Sequence, residues 1–157
     1  MMCIPVSSVG GHSEAQSQVV PATAPTLEWP EIVVDVTLSD KAKKELMDRK
    51  ETLRAFGYYS GSPMPGALKK YVDDEGEIGL GAFDVEFALG SSARIPKVTG
   101  KRDAFEQTDK ETPIVLIDVV SGRKSSKNNL LDCGIFEDRL EKIRDGRVPI
   151  TCKLITE

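Results

Sequence analysis

Phe83, Val85, Phe87 and Leu89 alternate strictly with Asp84, Glu86 and Ala88. A period of two sends successive side chains to opposite faces, so this run specifies a strand with one face in a core and one in water. The same period returns at Ile32, Val34, Val36 and Leu38, at residues 52–59 around Gly57, and at Val148, Ile150, Cys152 and Leu154. Ile114–Ser121 is a nearly continuous apolar run broken by Asp118, as expected of a central strand. Residues 97–105 form a weaker strand, and residues 61–66, 90–96 and 122–129 are loops. So many short strands divided by turn signals exclude a helical bundle.

Two segments break the pattern. Ser39 is placed to cap a helix over residues 40–49, which contain no Gly or Pro and carry Ala42, Leu46 and Met47 as an apolar stripe. Phe136, Leu140 and Ile143 fall on one side of a second short helix over 135–143. The expectation is a mainly β domain over residues 31–157. It is a single antiparallel β-sandwich of about seven strands with two short helices in its connections.

Residues 1–30 differ in kind. They hold Pro21, Pro25 and Pro30, no Lys or Arg, and no periodicity, the composition of a disordered leader or tether. Trp29 closes the leader and is placed to dock on the fold. The formal net charge is −4, and Glu14 and Glu28 of the leader account for part of it. A domain so near balance has no field to gather nucleic acid. No run approaches the ~18–20 apolar residues of a membrane span.

Three cysteines are present, and only Cys133 and Cys152 lie inside the expected fold. Structural zinc needs about four ligands, and the one histidine is His12 in the leader. Two cysteines 19 positions apart, the second inside an alternating strand, fit a disulfide in a periplasmic or extracellular protein. Met1-Met2-Cys3 offers no signal peptide, so export requires a signal upstream of this sequence. Cys3 ahead of a Ser/Ala/Gln/Pro stretch resembles the processed start of a bacterial lipoprotein, which makes it a candidate lipidation site. Otherwise it has no role.

Tyr58-Tyr59-x-Gly61-x-Pro63-x-Pro65-Gly66-Ala67, followed by Asp73-Asp74-Glu75-Gly76-Glu77-Ile78-x-Leu80, resembles the transthyretin-like and carboxypeptidase-regulatory-like sandwiches. In those domains a strand ends in a Gly/Pro turn and the next hairpin opens on an acidic turn. The resemblance covers residues 53–87. It implies a binding or structural module without catalytic residues, at the level of fold.

No catalytic constellation stands out. His12 lies away from any nucleophile in the fold, and Ser121-Gly122-Arg123-Lys124 has the S-x-x-K spacing without the further elements of serine–lysine acyl enzymes. Asp73, Glu75 and Glu77 have calcium-loop spacing, but Gly76 falls at the wrong place and a hairpin turn explains them better. Gly76-x-x-Gly79-x-Gly81 precedes no helix, so its glycines mark a bulge or a sheet bend. No metal and no cofactor is expected.

The loop bearing Arg123, Lys124, Lys127, Asn128 and Asn129 concentrates donors between two apolar segments and is the first candidate for a partner contact. Tyr58 and Tyr59, which alternate faces on one strand, are the second. The functional expectation is a binding module for a protein or cell-envelope component, such as an immunity, inhibitor or assembly lipoprotein. The alternatives are a small hydrolase using paired carboxylates such as Asp118 and Asp132, or a small-ligand carrier.

Overall fold

A computed structural model of the chain describes residues 26–110 and 113–157. Expectations for residues 1–25, including the tether and Cys3, lie outside them. Ten strands and two α-helices are present among the described residues. Strands β1 (Thr26–Trp29) and β2 (Ile32–Leu38) precede helix α1 (Asp40–Asp48), and β3 (Leu53–Gly61) and β4 (Ile78–Phe87) follow it. Then come β5 (Ala93–Ile95), β6 (Val98–Lys101), α2 (Arg102–Glu106) and β7 (Ile114–Ser121). Strands β8 (Leu131–Asp132), β9 (Ile135–Arg139) and β10 (Arg147–Leu154) complete the chain. They make two four-stranded sheets, β5-β2-β10-β8 and β4-β3-β7-β9, and a two-stranded sheet, β1-β6.

The alternation works as expected in both large sheets. Ile32 and Val34 of β2 and Val148, Ile150 and Cys152 of β10 are buried on one side. Leu53, Ala55 and Tyr59 of β3, and Val115, Ile117 and Val119 of β7, are buried on one side of the second sheet. All belong to one contiguous core. Ser39 Oγ accepts from the Ala42 N–H at 3.1 Å, the N-cap the sequence called for. Ala42 and Leu46 seat α1 on the core, whereas Met47 points outward.

Several expectations need correction. The sheets are not antiparallel throughout, because β10 runs parallel to β2 with Arg147 opposite Val33 and Cys152 opposite Leu38. Ten strands replace about seven, since β1, β5 and β8 are too short for periodicity to register. The loop expected at 90–96 contains β5, paired with β2. The weak strand expected at 97–105 is β6 followed by α2, which supplies the second helix. Residues 135–143 are not helical. Ile135–Arg139 pairs with β7, and a 3-10 turn, Leu140–Lys142, follows. Tertiary pairing at a sheet edge overrides the local helical spacing.

A strand is also present ahead of residue 31. Thr26–Trp29 pairs antiparallel with β6, and Trp29 is buried against Tyr59 and Phe105. Its indole Nε1 donates to the Leu80 carbonyl at 2.8 Å. That carbonyl belongs to a bulge. Tyr59 pairs with Gly81 and Ser60 with Gly79, which leaves Leu80 as the extra residue. Gly81 takes φ +135° there, and a Cβ would come within 2.7 Å of Val98. The glycines of 79–81 thus mark the bulge that the sequence indicated.

Cys133 and Cys152 form a disulfide with S–S 2.04 Å. It ties β10 of one sheet to the turn between β8 and β9, where the chain crosses to the other.

Candidate docking face

Strand pairing in the β4-β3-β7-β9 sheet brings the outward side chains into rows. One row runs Ala82, Tyr58, Leu116, Glu137. The next runs Asp84, Phe56, Asp118, Ile135. A third holds Glu86, Arg54 and Val120. The opposite face of these strands fills the core, so the outward face carries no packing duty. It carries apolar side chains among its charges nonetheless: Tyr58 is 39% exposed and Ile135 63% exposed, with Phe56 and Leu116 half-buried between them. Between Phe56 and Tyr58 the chain needs glycine: a Cβ at Gly57 would lie 1.8 Å from the Leu116 carbonyl oxygen and 2.8 Å from the Phe83 ring.

Charges at one end of the face are paired. Arg54 donates through both Nε and an Nη to the Asp84 carboxylate, which lies below its usual range on account of those bonds. Lys124 Nζ lies 3.1 Å from Glu86 Oε1, which also accepts from Thr52 Oγ1 at 2.7 Å. The centre differs. Burial pushes the Asp118 carboxyl above its usual range, opposed only by the Val119 N–H, and no Lys or Arg pairs with it among the described residues. At the other end, burial and then the charges of Glu77, Glu75, Glu137 and Asp73 push the Tyr58 phenol up.

The two tyrosines part company as their adjacency requires. Tyr58 lies on the outward face. Tyr59 is fully buried beside Trp29 and Phe83, with its hydroxyl unpartnered among the described residues and its pKa pushed up to about 12 by burial. Tyr59 therefore offers no surface to a partner.

The polar loop after β7 is held from within. Glu51, only 4% exposed, accepts from the Lys124 N–H and Ser125 N–H at 2.9 Å each, from Ser125 Oγ at 2.6 Å and from the Thr52 N–H at 3.0 Å. Burial acts to raise the carboxyl, but these bonds prevail and hold it down at about 2. Asn129 is also occupied: its Oδ1 accepts from the Ser121 and Leu131 N–H groups, and its Nδ2 donates to the Leu131 carbonyl. Of the five loop residues singled out in the sequence, Lys127 and Asn128 stay exposed and Lys124 pairs with Glu86. Arg123, at φ +59°, is exposed and lines a cleft with Arg54, Phe56, Asp84 and Val120. The cleft joins the loop to the outward face, so Arg123 and Tyr58, named separately in the sequence, border one surface.

Sequence reasoning missed Phe56, Leu116 and Ile135. The available signal was that β3 and β7 are apolar at both parities, more than a one-sided core requires. The paired carboxylates of the hydrolase alternative lie on strands of different sheets. Asp118 is on β7 between Phe56 and Ile135, and Asp132 is opposite Lys153 on β8. Asp73 serves its hairpin, accepting from the Glu75 and Glu77 N–H groups at 2.9 Å each. No helix among the described residues is long and apolar enough to cross a membrane. No protein-family model, curated protein or solved structure matches this chain.

Proposed function

We propose that the chain is an exported, non-catalytic binding module that grips a protein of the cell envelope or extracellular space through the outward face of the β4-β3-β7-β9 sheet. The observation that carries this reading is the set of apolar side chains on the water side of a sheet: Phe56, Tyr58, Leu116 and Ile135. A sheet with one face on the core is ordinarily polar on the other. Contiguous apolar surface rimmed by charge marks interaction sites, and aromatic residues are enriched at their centres.

The Cys133–Cys152 disulfide supports export, since such bridges persist in oxidising compartments. In this reading the two large sheets face each other as a β-sandwich around the common core. The likeness to transthyretin-like domains belongs to the same proposal, supported by the order of β3, the Gly/Pro segment and the Asp73 hairpin ahead of β4. So does Cys3 as a lipid-attachment point.

The test pairs Phe56→Ser with Tyr58→Ser. Tyr58 is exposed and Phe56 half-buried, so the double variant should unfold at a modestly lower temperature and still be native in the capture assay. Capture of the partner from an envelope extract should fall by at least about tenfold, as for residues at the centre of an interface. Undiminished capture by the double variant would place the interface elsewhere.

A further inference from the structure

The partner's chemistry follows from the charge on the docking face, and this step rests on the reading just proposed. Asp118 stands near the middle of the face, flanked across the sheet by Phe56 and Ile135 and along its own strand by Leu116 and Val120. The cations nearest the face are committed or lie at its margin. Arg54 holds Asp84, Lys124 holds Glu86, Arg139 lies 3.8 Å from Glu141, and Arg123 sits at the cleft corner. The Tyr58 end carries Asp73, Glu75, Glu77 and Glu137, all of one sign.

We infer that the partner presents a basic, extended segment, with apolar side chains on Phe56, Tyr58, Leu116 and Ile135 and a lysine or arginine seated on Asp118. Covering the face with a purely apolar partner would strand a carboxylate without a counter-charge, which is strongly unfavourable. An acidic partner would add repulsion. A cation makes a charge-assisted hydrogen bond there, across the sheet from Phe56. A second copy of the chain, stacked two-fold on the centre of the face, would set Asp118 against Asp118.

Two synthetic peptides test this against the isotope-labelled full chain. They share an alternating Val/Tyr pattern and differ only in bearing Arg or Glu at the intervening positions. The basic peptide should shift the backbone amides of β3, β7 and β9 and bind at least about tenfold tighter than the acidic one at low salt. Asp118→Asn should cut that preference to under about threefold while the spectrum stays native. Equal binding of both peptides on these strands, or a preference unchanged in Asp118→Asn, would overturn the basic partner and leave the docking face standing. Shifts confined to other regions, or none, would overturn both. Self-association of the chain alone through the β3, β7 and β9 amides would make a second copy the occupant and also overturn the inference.

Discussion

The outward faces of the two large sheets are finished in opposite ways. On the β5-β2-β10-β8 sheet, Asp35 accepts from Arg147 Nε and Nη2 at 2.9 and 2.8 Å and from Ser92 Oγ at 2.7 Å. Arg94 Nη1 lies 2.9 Å from Glu31 Oε1, and Thr37 stands opposite Thr151. These charges are answered by neighbours, as suits a surface that faces water. On the β4-β3-β7-β9 sheet the corresponding positions hold Phe56, Tyr58, Leu116 and Ile135 around Asp118, which has no cationic partner among the described residues. Both sheets use the same alternation to fill one core, so folding alone accounts for the inward residues of each. It does not account for the outward residues of the second. The contrast separates the residues that folding requires from those that the proposed docking would use.

The largest expected effect tests whether both faces hang on one framework. Cys133→Ser with Cys152→Ser removes a link closing a loop over a sequence separation of 19. Loop-closure entropy sets the cost at about 3 kcal/mol. Urea unfolding with and without reductant should show that loss in the native protein and no reductant effect in the double variant. Because the bridge joins β10 to the turn entering β9, both sheets should lose cooperativity together.

Glu51 sharpens the comparison at the loop end of the docking face. Its carboxyl, held at about 2 against an ordinary value of 4.5, contributes at most about 3 kcal/mol. The folded value is the lower one, so this stability is fully present above about pH 4.5 and is lost as pH falls toward 2. Glu51→Gln should remove much of it at neutral pH, flatten the acid limb of a pH–stability curve and loosen the segment bearing Arg123. Hydrogen exchange at the Lys124 and Ser125 amides reads the last effect.

Asp118 should show the opposite sign. Its carboxyl lies above the usual range because burial disfavours the charge. Its contribution is therefore greatest below the ordinary value and declines as pH rises through the folded one. Asp118→Asn should leave the protein as stable at pH 7 or slightly more so, a change read by calorimetry. Asp35→Asn on the other sheet, whose carboxyl is lowered chiefly by its hydrogen bond from Arg147, should not stabilise the fold.

Much of this architecture is legible in the residues. The period-2 runs place β2, β4 and β10, Ser39 places the start of α1, and the adjacency of Tyr58 and Tyr59 sets one outside and one in the core. Periodicity carries no direction, however, so the parallel pairing of β2 with β10 leaves no trace in it. Phe136, Leu140 and Ile143 have helical spacing, yet β7 recruits Ile135–Arg139 as a strand. Thr26–Trp29 hides among the prolines at positions 21, 25 and 30 because its partner, β6, lies far along the chain. The site was half visible. Tyr58 and Arg123 stood out by type and position, whereas Phe56 and Leu116, lying in strands apolar at both parities, looked like core. Glu51 gave no signal, because its role depends on backbone N–H groups brought over from residues 124 and 125.

The most direct test of the docking face places a photo-reactive phenylalanine analogue at Tyr58 in one variant and at Thr151, on the opposite sheet, in another. Both sites are exposed, so neither substitution should disturb the fold. After irradiation in an envelope extract, a discrete covalent adduct is expected from position 58 and none from position 151. An adduct from position 151 alone, or equal yields from both, would contradict the proposed docking face.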